Sequence, residues 1–181
     1  NQIKKLLEIG GNTGKWALAS TQFDKEVKIT IVDLPGQAAM AKKNIEALGL
    51  SERVDFYPAN VLDENVQFPT GYDVVWMSQF LDCFSEEEIV SILQRCGKAI
   101  HEEGAIYILE AFWDNQRFET AAFCLQQLSI YFTAIANGNS QMYDSRVFKK
   151  CIEKAGFDIV EEIEGIGLSH TLLKCKKRQL H

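Results

Sequence analysis

The sequence predicts an α/β fold built on a mostly parallel sheet, covered by helices on both faces and edged by an antiparallel pair of late strands. Three observations carry this expectation. Apolar runs of strand length alternate with helical stretches as far as Glu110, the pattern of strand–helix–strand crossovers. A glycine-rich turn, Gly10-Gly11-Asn12-Thr13-Gly14, follows the first run and opens the first helix. Where the alternation stops, two strand-like runs lie close enough in sequence to form a hairpin.

Along the chain, strands are expected near 4–9, 27–33, 53–57, 72–78 and 104–110, with helices near 14–21, 36–48 and 85–101. Leu6-Leu7-Glu8-Ile9 is the kind of apolar run that makes a strand buried on both faces, and Ile29-Thr30-Ile31-Val32-Asp33 is a second that ends on a carboxylate. A long helical stretch covers about 115–137, a helix at 144–155 is closed by Gly156, and the hairpin runs occupy 158–163 and 168–175. At 181 residues with 46% hydrophobic content the chain can bury a proper core, and it reads as one domain over residues 1–181, with no internal repeat and no low-complexity segment.

A formal net charge of −6 argues against a general nucleic-acid binder, which needs a basic face for phosphates. The basic cluster Lys174, Lys176, Lys177 and Arg178 reads as a solvated strand end. Five cysteines, Cys83, Cys96, Cys124, Cys151 and Cys175, are scattered and never form a C-x-x-C pair. That pattern predicts reduced, mostly buried thiols in a cytoplasmic protein, with no disulfide framework and no metal site. No apolar run approaches the roughly 18 residues of a membrane span, and no signal peptide is visible. The chain begins without Met almost at its first strand, and so reads as a piece of something longer.

The glycine turn is the most informative segment. A tight turn between strand and helix lets the backbone approach a ligand, and an acidic residue about 20 positions on can take both hydroxyls of a ribose, which is where Asp33 stands. An adenosine-type cofactor is therefore expected. The dinucleotide fingerprint needs glycine at 12 and 15, where the chain has Asn12 and Lys15, so NAD is disfavoured. Gly14-Lys15 does not make a P-loop either, because Trp16 follows the lysine and Ile9 stands where the first glycine belongs.

With Glu8 two positions ahead of Gly10, the loop resembles that of S-adenosylmethionine (SAM)-dependent methyltransferases, with Asn12 in place of the middle glycine. Asn tolerates a left-handed backbone well, so the change is mild. From Leu6 to Cys175 the element order is similar to the catalytic domain of class I SAM-dependent methyltransferases. The resemblance implies a Rossmann-like, doubly wound, mostly parallel seven-stranded sheet with an antiparallel last strand. In detail the chain resembles the caffeate and hydroxyindole O-methyltransferase family, through Val32-Asp33-Leu34-Pro35, Asn60-Val61-Leu62, Ser78-Gln79-Phe80-Leu81-Asp82-Cys83-Phe84-Ser85, 104–110 and 148–157.

Carried onto these positions, the resemblance assigns Gly10 and Gly14 to the methionine part of SAM and Asp33 to its ribose. Glu8, Gly11, Leu34 and Val61 join them in the cofactor-binding set. Asn60 falls where the family has an aspartate facing the adenine amino group, and Ser78 and Gln79 end the fourth strand beside the expected cofactor. Asn60 reads equally as a turn residue, and Ser78 and Gln79 as residues that satisfy local backbone groups. Phe80, Phe84, Phe112, Trp113 and Phe118, with Phe123, cluster around loops expected to border the pocket of a small-molecule acceptor. Ordinary helix core is the competing reading for most of them.

The family's histidine base matches Asp82 here, and a carboxylate with an ordinary pKa near 4 is a poor base for a phenol unless burial raises it. Glu110 matches the first of two flanking acids, with a simple strand-end cap as its alternative; the second aligns with Met142. His101 reads as an exposed helix end, His170 as part of the last strands and His181 as tail. The resulting expectation is a SAM-dependent small-molecule methyltransferase, O-methyl transfer foremost, using no metal and binding neither nucleic acid nor membrane. Asp82 and Glu110 are its candidate catalytic residues. The resemblance also implies a homodimer made through an N-terminal helical domain that this chain lacks. A non-catalytic SAM-binding or scaffolding domain is the alternative, and an NAD-dependent oxidoreductase a more distant one.

Overall fold

The structure, a computed structural model, describes residues 3–135 and 138–179. Seven strands, β1 (Lys5–Ile9), β2 (Lys28–Asp33), β3 (Val54–Pro58), β4 (Tyr72–Ser78), β5 (Ile100–Glu110), β6 (Phe157–Ile166) and β7 (His170–Lys177), make one sheet in the order β3-β2-β1-β4-β5-β7-β6. β1 pairs in parallel with β2 and β4, β2 pairs in parallel with β3, and β6 pairs antiparallel with β7. This is the mixed, doubly wound sheet with antiparallel last strands that the sequence predicts. The helices are α1 (Lys15–Phe23), α2 (Pro35–Glu46), α3 (Glu86–Ala99), α4 (Glu119–Ile135) and α5 (Ser145–Lys154).

By its contacts the chain divides into two compact units, one made of residues 1–77 and 95–106, the other of 78–94 and 107–181. In the first, the β1 and β2 runs are buried on both faces, Leu7, Ile9, Ile29 and Ile31 being at most 1% exposed. This explains why they read as continuous apolar strings rather than alternating ones. Pro35 opens α2 at its first turn, where its missing N–H is not needed, and Ala38, Ala41 and Ile45 form the helix's buried stripe.

The β5 boundary differs from the expectation of 104–110. β5 starts at Ile100 directly after α3, which ends at Ala99, so His101 is an exposed strand residue and not a helix end. The sequence misleads because Gly104 resembles a strand start. It is an interior glycine required by close packing: a Cβ there would lie 2.9 Å from the Ile100 Cβ and 3.0 Å from the Asp73 carbonyl oxygen.

In the second unit, α5 begins on Asp144, whose side chain accepts the Arg146 N–H at 2.9 Å, and buries Phe148, Cys151 and Ile152. Phe148 packs against Phe112 and Tyr143, with ring centroids 5.1 and 5.6 Å away. The expected helix of 115–137 resolves into a short 3₁₀ turn, Trp113–Asn115, and α4, none of whose residues is fully buried. His181 lies outside the described residues.

Candidate functional site

The residues singled out by sequence gather in two places, one in each unit. In the first unit, β1 ends and the backbone turns through Gly10, Asn12 and Gly14, with φ of 77°, 47° and 78°. Asn12 thus occupies the left-handed region in place of a glycine. Gly11 is fixed by space instead, since a Cβ there would meet the Ile31 Cγ2 at 2.7 Å and the Glu8 carboxyl carbon at 3.1 Å.

Asp33 ties the loop to β2. Its Oδ2 accepts the Asn12 N–H at 2.7 Å and its Oδ1 accepts the Leu34 N–H at 2.7 Å. Each carboxylate oxygen can accept twice, so one acceptor site on each oxygen remains for a pair of hydroxyls. Glu8 is only 4% exposed, and its Oε2 is buried with no hydrogen-bond partner. Burial first, and the Asp33 carboxylate second, push its carboxyl up to about 8. An uncompensated buried carboxyl beside a glycine loop is an arrangement that a positively charged ligand group would complete.

Asn60 uses its Oδ1 to accept the Leu62 N–H at 3.0 Å, the Asx turn of its alternative reading. Leu34 is exposed at the start of α2, and Val61 is buried. The segment after β3 is held by Arg95, which the sequence reading missed. Its buried guanidinium donates to the carbonyls of Val61 and Asp63 and lies 5.0 Å from the centroid of the Phe68 ring. The available signal is an arginine set among Ile92, Leu93 and Cys96, on the buried side of α3.

In the second unit, Ser78 ends β4 and Gln79 follows at φ 48°, donating its N–H to the Leu109 carbonyl at 2.8 Å. A left-handed conformation in a residue other than glycine costs about 1–3 kcal/mol and persists where the surroundings enforce it, commonly at functional sites. A short 3₁₀ turn, Leu81–Cys83, carries Asp82. Glu110 clamps this turn: its Oε1 accepts the N–H groups of Phe80 and Leu81 at 2.9 and 2.8 Å. Glu110 is 1% exposed, and burial together with the Asp82 carboxylate raises its pKa well above the ordinary carboxylate range.

Beside the turn is a cavity of about 320 Å³ lined by Gln79, Asp82, Cys83, Ser140, Gln141 and His170, with Leu125, Leu128, Phe132 and Met142 as its apolar wall. Glu110 does not line it, so the structure separates the two candidate catalytic carboxyls into one that faces the cavity and one behind it. Asp82 also departs from the expectation of an ordinary carboxylate, because burial raises its pKa against the opposing pull of the Cys83 thiol and His170. The Cys83 thiol, 3.6 Å from the Asp82 Oδ1, is itself pushed up to about 12, chiefly by burial.

Of Phe80, Phe84, Phe112, Trp113 and Phe118, expected near the acceptor pocket, none lines this cavity. Phe80 packs edge-on to Phe84 at 5.0 Å, Phe112 sits in the core against Phe148, and Phe118 is 64% exposed. The ring that reaches the cavity is Phe132 of α4. Among the described residues no three His, Cys, Asp or Glu side chains form a metal-holding group, and no helix is long and apolar enough to cross a membrane.

The model of the O-methyltransferase domain family matches residues 1–158. The chain belongs to that family. Its relatives include the L-tyrosine C(3)-methyltransferase of Streptomyces lavendulae, 27% identical over 85% of this chain and 41% of that protein. The acetylserotonin O-methyltransferase 1 of Oryza sativa subsp. japonica is 27% identical over 92% of this chain and 43% of its own length. The chain thus spans less than half the length of these curated relatives. In fold it is similar to the O-methyltransferase NcsB1 from neocarzinostatin biosynthesis, solved in complex with SAM and 2-hydroxy-5-methyl naphthoic acid. That structure has a TM-score of 0.81 at 19% identity, covering 96% of this chain and 49% of that one.

Proposed function

We propose that this chain is the catalytic domain of a SAM-dependent methyltransferase that methylates a small molecule, O-methyl transfer foremost. The observation that carries the reading is the Asp33–Asn12 bond at 2.7 Å, which joins a strand-end carboxylate to a glycine loop already in left-handed turns. Membership of the O-methyltransferase domain family supports it. Gly10, Gly11 and Gly14 would let the backbone pass close to the cofactor, Asp33 would take the ribose hydroxyls, and the unpartnered Oε2 of Glu8 would face the positively charged amino group. Leu34, Asn60 and Val61 would flank the adenine, Val61 held by its carbonyl to Arg95. The residues present fit the cofactor, because a buried carboxyl without a partner is what a cationic ligand would relieve. When bound, SAM supplies an electrophilic methyl group.

The chain's own part is to seat the acceptor, exclude water and hold a proton. The apolar wall of Leu125, Leu128, Phe132 and Met142 suits a flat, weakly polar acceptor, while Gln79, Gln141 and Asp82 offer it hydrogen bonds. Holding the nucleophile in near-attack geometry supplies a large share of such a barrier. Asp82 fills the family's base position with a weaker base, and Glu110 acts on it as a positioning residue through the turn.

Asp82→Asn is therefore expected to lower single-turnover methyl transfer by about 10-fold, less than the 10²–10⁴-fold of losing a true acid–base residue. The assay is transfer of labelled methyl from SAM to a panel of hydroxylated aromatic compounds. Transfer to any of them supports the enzyme. Tight SAM binding with no transfer to any acceptor supports instead a SAM-binding scaffold, a reading favoured by Asp82 and Met142 at two acid–base positions.

A further inference from the structure

We infer that the acceptor cavity is built for an aromatic compound carrying a protonated amine, whose ring lies against the apolar wall and whose ammonium group pairs with the Asp82 carboxylate. The inference rests on the methyltransferase reading above and names the chemical class of the acceptor.

The charges in the lining point this way. Among the described residues no Lys or Arg lines the cavity, Asp82 is its one carboxylate and His170 its one basic side chain. Burial raises the Asp82 pKa, and the opposing pulls of the Cys83 thiol, the local backbone and His170 do not cancel the rise. A partly buried carboxylate left undercompensated by its surroundings is one that an incoming cation stabilises. The 3.6 Å bond from the Cys83 thiol is a poor substitute, since a thiol is a weak donor. An anionic acceptor would instead bring like charge against Asp82, with no guanidinium or ammonium in the lining to offset it.

Other features favour the same ligand. The Phe132 ring belongs to the wall, and an aromatic face attracts a cation as well as a second ring. A formal net charge of −6 draws cations toward the chain in preference to anions. The cavity, at about 320 Å³, stands at the lower end of ligand pockets, which suits a compact ring with a short side arm.

The carboxylate is also held in place before any ligand arrives. Glu110 accepts the N–H groups of Phe80 and Leu81, and the Asp82 carbonyl accepts the Gln141 N–H at 2.8 Å, so the turn is fastened from two sides. Such preorganisation lowers the ordering cost of binding. Glu110, raised well above the ordinary carboxylate range by its burial, adds no second charge near neutral pH. The Cys83 thiol, pushed up to about 12, stays uncharged as well.

The test compares three phenols of one shape that differ in the charge of the side arm: tyramine with an ammonium, tyrosol with a hydroxyl, and 4-hydroxyphenylacetate with a carboxylate. Dissociation constants are measured by calorimetry at pH 7.5 on the chain saturated with S-adenosylhomocysteine. Tyramine is expected to bind at least about 10-fold more tightly than either of the others, the lower end of what a hydrogen bond to a charged group supplies. In Asp82→Asn its advantage over tyrosol should shrink to within about 3-fold, with tyrosol itself changed by less than that. An advantage below 10-fold in wild type, no saturable tyramine binding, or a full preference that survives in the variant overturns the inference. Should the variant lose tyrosol as well, the wild-type ranking decides alone. A chain that takes up neither SAM nor S-adenosylhomocysteine contradicts the proposed function instead, and the same ranking, measured without cofactor, still decides which charge the cavity prefers.

Discussion

Glu8→Gln is expected to remove a loss of stability that the wild-type chain, free of cofactor, suffers as pH rises from about 5 to 8. The Glu8 carboxyl moves from the ordinary 4.5 to about 8 in the folded state, so the folded chain holds this proton more tightly than the unfolded chain does. For a group raised in this way, the stabilisation is complete below the unfolded value, declines as pH climbs past 4.5, and is gone above about 8. The full shift corresponds to roughly 4–5 kcal/mol, an upper figure for a buried carboxyl. Glutamine keeps the shape without the ionisation. Its denaturant midpoint should therefore stay level between pH 5 and 8 relative to wild type, whose midpoint should fall. Parallel curves for the two proteins would show that Glu8 is not held neutral. If the cofactor's amino group sits against Glu8, saturating S-adenosylhomocysteine should restore much of the wild-type loss at pH 8 and little of it in the variant.

Glu110→Ala should destabilise the chain by about 2–6 kcal/mol, because it strands two backbone N–H groups at partly and fully buried positions, at about 1–3 kcal/mol each. Glu110→Gln should cost less than about 1 kcal/mol, since an amide oxygen can accept the same two bonds and the native carboxyl is already held protonated. The sign with pH matches that of Glu8. Glu110 is raised above its unfolded value of 4.5, so its contribution is present below that value and is lost as pH rises toward the folded pKa. Urea titration of the three proteins at pH 5 separates the outcomes. Equal loss in Ala and Gln would mean that the carboxylate's charge, not its acceptor oxygen, holds the turn.

The parts of this molecule that follow local rules are legible in its sequence. The β1 and β2 runs, the left-handed Asn12 and the 21-residue reach from loop to Asp33 follow from backbone sterics and from burial on two sheet faces. β5 was harder because the need for glycine at 104 comes from Ile100 and from the carbonyl of Asp73, a residue far away in sequence. The cavity was hardest. Its lining draws on β4's end, on α4, on 140–142 and on the start of β7, and no spacing rule announces that His170 and Asp82 will share it. Core and cavity wall look alike in composition, since Phe112 and Phe84 are as apolar as Phe132 and differ only in what the fold sets against them. Arg95 is not legible in the sequence, because a buried guanidinium satisfied by backbone carbonyls looks there like any charged helix residue.

The proposed cofactor site is the loop between β1 and α1, with Asp33. Calorimetric titration of S-adenosylhomocysteine into the wild-type chain and into Asp33→Ala tests it most directly. Saturable binding to wild type is expected, with a loss of about 1.5–3 kcal/mol in the variant, roughly 10- to 150-fold in affinity, the scale of hydrogen bonds to a charged group. Absence of binding by both SAM and S-adenosylhomocysteine, with tight binding of NAD or ATP in their place, would contradict it.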